Sequence, residues 1–403
     1  MLQMKDLPWI KPCDDPYELV HVTPNGTDLL PEVLRPRVLV HTVHDGDAVP
    51  AQFLTHRDGS PIADPDELER RYIRERDWGA NLVASGIASA LGLSGYVRCN
   101  VARVLLDFNR FPGSTPPLNR DPLERLAINE PFASGLDHGQ KLELLERYYD
   151  QSSELIESSW LDGNLIMLGV HTYDQRNPSQ TTRPDISLVT CSHTYLRESR
   201  MPFGVFDPLY PDVLGESTCS RVLRDRISLN FERTGFRVLH NHPYALPEGS
   251  IEVRAQVWYF FDFLRRRYIE AFPETRDCAA HGLVWSMLLN TNLRLHDGET
   301  LRAYLHRFRK LPEGDVLRFQ EAEAAYRRVS AFLDADVLRD YRRSPDRPSA
   351  IAMEVRKDLL CTFDPETGRP LPLTDEQRDR ATVIGHIIAS AIRLYFEHDR
   401  NFG

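Results

Sequence analysis

Residues 165–173 read Leu165-Ile166-Met167-Leu168-Gly169-Val170-His171-Thr172-Tyr173. A short apolar run of this kind suits a strand covered on both faces, as strands of parallel sheets are. Three other runs have the same character: Val38-Leu39-Val40, Val104-Leu105-Leu106, and Ala350 to Val355, reading Ala-Ile-Ala-Met-Glu-Val. Between them the apolar residues recur at helical spacing. Trp78, Leu82, Ile87 and Leu91 make one stripe, and Val257, Phe261, Leu264 and Tyr268 make another. Thr374 with Gln377 gives a capping-box start to a last helix whose apolar face carries Ile384, Ile388, Ala391 and Tyr395. Strands interleaved with helices predict an α/β fold, with a mostly parallel or mixed central sheet flanked by helices.

Proline- and glycine-rich passages at 112–117, 202–211, 243–249 and 344–348 predict loops. The stretch 251–345 differs from the rest: it is rich in Arg and Leu, reads as helix nearly throughout and shows no convincing strand. Residues 1–250 and 346–403 are therefore expected to form the α/β body, with 251–345 as a helical insertion. The triplet Arg265-Arg266-Arg267 reads as a solvated helix face.

The chain has 403 residues, 41% apolar and 27% charged, which fits a folded globular protein with a sizeable core. A net charge of −10 argues against a general nucleic-acid or anionic-membrane binder. No apolar run reaches the roughly 18 residues of a membrane helix. The first residues, MLQMKDLPWIKPCDD, lack the pattern of a secretion signal. The cysteines at 13, 99, 191, 219, 278 and 361 show no C-x-x-C spacing. Reduced thiols and a cytoplasmic location are the expectation.

The strand-like runs deliver polar residues that a core would not hold unaided. The first leads into His41-Thr-Val-His44-Asp-Gly-Asp47, the second into Asp107-Phe-Asn109-Arg110, and the third into His171-Thr-Tyr173. The fourth contains Glu354, followed by Arg356. Strand ends that converge on a crevice are where open α/β sheets bind ligands. Histidines and a carboxylate gathered there suit a metal, and a further carboxylate would serve as general base. Strand alternation sends His41, three residues before His44, to the opposite face, so His41 is not expected to be a ligand. Glu354 inside an apolar strand must be paired, protonated or open to a cavity; Arg356 is one candidate partner.

These residues carry a resemblance. His44-Asp-Gly46-x-x-x-Pro50 resembles the His-x-Gly-x-x-x-Pro signature of the N-formylglutamate amidohydrolase family. Asp77-Trp-Gly79-Ala80 is similar to its Asp-x-Gly-Ala motif, and Arg103-Val-Leu-Leu-Asp107-Phe-Asn109-Arg110 to its Arg-x-x-x-Asp-x-Asn-Arg motif. His171-Thr-Tyr173 resembles His-Ser-Tyr/Phe, and Asn241-His-Pro243-Tyr244 resembles Asn-x-Pro-Tyr. Glu354-Val-Arg356-Lys-Asp358-Leu resembles Glu-Ile-Arg-x-Asp-Leu. The six motifs follow the family's order.

The resemblance implies a zinc-carboxypeptidase-like fold and zinc-dependent hydrolysis of an amide bond next to a carboxylate-bearing group. It implies one Zn2+ per chain, with another divalent metal as the alternative, held by His44, His171 and one aspartate, either Asp47 or Asp77. Glu354 would be the general base, with Arg103 or Tyr244 donating to the oxyanion. Asn109, Arg110 and Arg356 would contact the substrate, unless Arg103 and Arg110 serve only to neutralise Asp107. The substrate would be a small acyl-amino acid or a peptide. A carboxypeptidase-like peptide hydrolase is one alternative. A non-catalytic binding protein that keeps the fold is the other. The long helical segment between the fifth and sixth motifs, and a first motif opening Val-His rather than Pro-His, depart from the family pattern.

Overall fold

The run at 165–173 becomes the middle of a seven-stranded sheet. The computed structural model describes residues 11, 15–25, 29–110, 127–161, 163–193, 207–247, 249–291, 296–306 and 314–399. Its strands are β1 (Tyr17–His21), β2 (Val38–Thr42), β3 (Gly95–Cys99), β4 (Ile166–Tyr173), β5 (Ile186–Val189), β6 (Val238–His240) and β7 (Ser349–Arg356). They stand in the order β1-β3-β2-β4-β7-β5-β6. β3, β2, β4 and β7 run parallel, β1 lies antiparallel to β3, and β5 lies antiparallel to β7 and parallel to β6. Every residue of β4 and β7 is buried, as the unbroken apolar runs require of central strands.

The helices described are α1 (Pro65–Glu75), α2 (Ala80–Leu91), α3 (Phe132–Gly135), α4 (His138–Leu144), α5 (Gln151–Leu161) and α6 (Arg221–Arg233). They continue with α7 (Ile251–Ala271), α8 (Ala279–Leu288), α9 (His296–Leu305), α10 (Val316–Phe332), α11 (Ala335–Arg343) and α12 (Asp375–His398). The capping box at Thr374 forms as expected, and Ile384, Ile388, Ala391 and Tyr395 are buried along α12.

Alternation along the strands builds two cores. Ile166, Leu168 and Val170 of β4, with Ile351, Met353 and Val355 of β7, pack against α2, α6 and α12. Met167 and Ala350 face the other way, into a core that includes Ile251 and Ala255 of α7. Val253 of the same helix meets Val189 and Ala352. Further along, Val257, Phe261, Leu264 and Tyr268 turn to a separate cluster with α8, α10 and α11. One helix thus covers the sheet with its first turns and joins the helical segment with its last.

Val104-Leu105-Leu106 is not a strand. The N–H groups of Leu105 and Leu106 both bond to the carbonyl of Ala102, so the run is a buried turn. Three apolar residues carry too little periodicity to separate the two outcomes. β1, β3, β5 and β6 are short and were not visible as apolar runs. Cys13 and the loops expected at 112–117 and 202–206 lie outside the described residues. Cys99, Cys191, Cys219, Cys278 and Cys361 are free thiols. No helix among the described residues is long and apolar enough to cross a membrane.

Candidate metal centre

The parallel strands β2, β4 and β7 bring their chemistry to one end of the sheet. β2 stops at Thr42, and His44 follows in the turn beyond it. The backbone N–H of Asp77 donates to the carbonyl of His44 at 2.9 Å, and the Thr172 hydroxyl donates to the carbonyl of Trp78 at 3.1 Å. These two bonds tie the segment that carries Asp77 to β2 on one side and β4 on the other. Gly79, at φ 89°, is the N-cap of α2, and a Cβ there would stand 2.8 Å from Leu360 Cβ. Asp77 therefore does not cap the helix, and its carboxylate turns inward.

There it meets both histidines. His171 Nδ1 lies 3.0 Å and His44 Nδ1 3.6 Å from Asp77 Oδ2. The two imidazoles tilt at 56° with centroids 5.1 Å apart. One ligand atom from each of His44, Asp77 and His171 falls within 4.8 Å of the others, and all three residues are buried. On its far side, His44 Nε2 pairs with Asp107 Oδ1 at 2.9 Å. Asp107 also accepts the Asn109 N–H at 2.9 Å and faces the guanidiniums of Arg103 at 3.4 Å and Arg110 at 3.8 Å. Two imidazole nitrogens and one carboxylate oxygen, with one ring anchored by an outer carboxylate, form a donor set that could hold a metal ion.

Glu354 stands beside this group as the register partner of His171. Its Oε1 accepts a hydrogen bond from the Tyr244 hydroxyl, and its Oε2 is buried without a hydrogen-bond partner among the described residues. Tyr244 arrives on a turn pinned by Asn241, whose Oδ1 accepts the N–H groups of Thr190 and Cys191 at 2.8 and 2.9 Å. Tyr244 is 42% exposed as a residue, while its hydroxyl reaches in to Glu354.

The charges respond to this crowding. Burial alone would raise the Asp77 carboxyl, but hydrogen bonds with His171 and His44 and the charge of Arg103 hold it well below the carboxylate range. Asp107, buried too, is held low by Arg103, His44 and Arg110. His171 is buried, yet its hydrogen bond with Asp77 and the nearby carboxylates of Glu252 and Glu354 push it up to about 10. Glu354 is pushed upward by burial and by the negative Asp77, against the pull of His171, Tyr244 and Arg103.

Some expected residues are placed elsewhere. Asp47 is engaged by Lys11 Nζ at 2.6 Å and Arg98 NH2 at 3.0 Å, outside the His44–Asp77–His171 group. Arg356 pairs with Asp185 at 2.9 Å and Asp358 at 2.6 Å, and not with Glu354. Arg103 sits 3.5 Å from Asp77. Asn109 Oδ1 and Arg110 Nε are buried without hydrogen-bond partners among the described residues. His41 is not on a face turned away from the site: its Nε2 lies 3.9 Å from Glu252, which also neighbours His171. The alternation rule fails here because His44 lies past the end of the strand, where the turn sets its direction. Glu252 went unnoticed in the sequence, where an acid two residues after Ser250 reads as a routine helix start.

Fold and site together define an α/β protein with a candidate metal centre at the carboxyl ends of parallel strands. The model of the N-formylglutamate amidohydrolase family matches residues 36–268, and the chain belongs to that family. The matched stretch holds His44, Asp77, Asp107, His171 and Tyr244; Glu354 lies beyond it. A solved N-formylglutamate amidohydrolase from Ralstonia eutropha JMP134 is similar, with a TM-score of 0.47 and 13% identity, over 95% of this chain and 99% of that one. A gene product of Agrobacterium tumefaciens is similar with a TM-score of 0.44 and 13% identity, over 94% and 95% of the two chains. No curated protein matches the sequence.

Proposed function

We propose that this chain is a zinc-dependent amidohydrolase acting on an N-acyl amino acid or peptide with a carboxylate near the scissile bond. The observation that carries the reading is the buried group of His44, Asp77 and His171 with Glu354 in register beside it. The charges suit a divalent cation as well. Four buried carboxylates, Asp77, Asp107, Glu252 and Glu354, gather there against the guanidiniums of Arg103 and Arg110. When bound, the ion polarises the amide carbonyl and lowers the pKa of water toward neutrality.

The side chains do the rest. Glu354 takes the proton from the attacking water and returns it to the leaving amine, and the upward shift that burial gives its carboxyl favours both tasks. Tyr244 holds Oε1, which leaves Oε2 for the water. Arg103, or Tyr244 once Glu354 is protonated, donates to the oxyanion as the carbonyl becomes tetrahedral. Arg110 and Asn109 receive the substrate carboxylate, since a guanidinium fork matches a carboxylate bidentately.

The test combines metal analysis with a panel of formyl-amino acids, larger acyl-amino acids and blocked dipeptides. About one zinc per chain and hydrolysis of at least one panel member are expected. Zinc-loaded protein that cleaves none of them would leave the amidohydrolase reading without support. Cleavage of blocked dipeptides alone would favour the carboxypeptidase-like alternative.

A further inference from the structure

Behind His171, on the side away from Asp77, two fully buried residues take no part in the chemistry above. Glu252 enters from the first turn of α7, and His41 lies on β2. Glu252 Oε1 is 3.9 Å from His171 Nε2 and 3.9 Å from His41 Nε2. Among the described residues, both Glu252 oxygens, both His41 nitrogens and His171 Nε2 lack a hydrogen-bond partner. Folded proteins avoid such a concentration of unsatisfied polar atoms unless something offsets its cost. The space is specific too. His41 and Gly169 are register partners, and a Cβ at Gly169 would stand 2.3 Å from Glu252 Oε1 and 2.9 Å from His41 Cε1.

His44 shows what the arrangement is for. Its Nε2 is anchored by Asp107 at 2.9 Å, which leaves Nδ1 toward Asp77 and the centre. His171 has the same polarity, with Nδ1 at 3.0 Å from Asp77 and Nε2 toward Glu252. We propose that Glu252 is the positioning residue for His171: it accepts the Nε2 proton and so fixes the tautomer whose Nδ1 lone pair faces the metal. His41, whose Nε2 is equally 3.9 Å from Glu252 Oε1, offers the same carboxylate a second donor. The separations are about 1 Å longer than an N–H···O hydrogen bond, a shift open to a carboxylate that nothing else holds. The inference rests on the metal-centre reading above. It also gives α7 a second task, because the helix that joins the helical segment carries an outer support of the metal ligand.

The test measures zinc affinity by chelator competition for the parent, Glu252→Gln and Glu252→Asp. It adds the melting temperature of each metal-free protein and imidazole 1H–15N spectra of the zinc-loaded parent. Glu252→Gln is expected to weaken zinc binding about 10- to 100-fold, with no fall in metal-free melting temperature. Glu252→Asp, which keeps the charge but shortens the reach, is expected to lose less. The parent spectrum is expected to show a proton on His171 Nε2. Variants that bind zinc as tightly as the parent, or a His171 bound through Nε2, would overturn the assignment while leaving the metal centre intact. A parent that binds no zinc, or a His171→Ala variant that retains it, would bring down the metal-centre reading and this inference together.

Discussion

His171 on β4 and Glu354 on β7 are register partners on adjacent parallel strands. The proposed metal ligand and the proposed base are therefore held by the backbone ladder of the sheet, not by loops. Side chains alternate across a strand, so a slip of one residue would send Glu354 to the face packed by α2 and α12.

Glu354→Gln keeps the shape of the side chain and an acceptor for Tyr244 but removes the base. Turnover is expected to fall about 10²- to 10⁴-fold with zinc content unchanged, measured by steady-state kinetics and elemental analysis. Near-parental turnover would take the base role from Glu354.

Tyr244→Phe removes the hydrogen bond that favours the ionised form of Glu354. The carboxyl pKa should rise further above its ordinary value. A base works deprotonated, so the acidic limb of the kcat/KM profile should move to higher pH. A limb that stays put would mean that Tyr244 does not govern this carboxylate.

His171 holds its proton up to about pH 10 in the metal-free protein, against an ordinary value of 6.5. A ligand nitrogen must be free of its proton, so zinc affinity should rise about tenfold per pH unit between pH 7 and 9. The same shift sets the sign for metal-free stability. The raised pKa stabilises the fold fully below 6.5, and that contribution is lost as pH climbs through about 10. Isothermal titration in non-coordinating buffers reads the first effect, and a pH-flat affinity would remove His171 from the ligand set.

His41 behaves oppositely. Burial lowers its pKa from 6.5 to about 4, so the unfolded chain takes a proton that the folded chain refuses. Stability should fall as pH drops from 6.5 through about 4, by roughly 3 kcal/mol from this residue. Denaturant melts of the metal-free protein should show a shallower acid limb in His41→Gln; an unchanged slope would contradict the burial argument.

Asp47→Asn and Asp77→Asn separate the two aspartates. Asp47 is partnered by Lys11 and Arg98, so its variant should keep zinc and lose no more than about 1 kcal/mol. Asp77→Asn should lose the metal. Zinc lost from the Asp47 variant alone would reverse the assignment.

His171 and Glu354 are legible in the sequence because each interrupts an apolar run, and a polar group in such a run needs a partner or a purpose. The central strands β2, β4 and β7 and the helices α2, α7 and α12 are legible for the same local reason: spacing of apolar residues writes their periodicity directly. That Asp77, and not Asp47, stands with His44 and His171 follows from tertiary structure, through the backbone bond from Asp77 to His44 and the pairing of Asp47 with Lys11 and Arg98. So were the engagement of Arg356 by Asp185, the face of His41 and the place of Glu252 behind His171. Each depends on contacts between segments far apart in the chain. Residue type and spacing state what a side chain can do, but which partner it meets follows from how the strands are ordered and where α7 crosses the sheet.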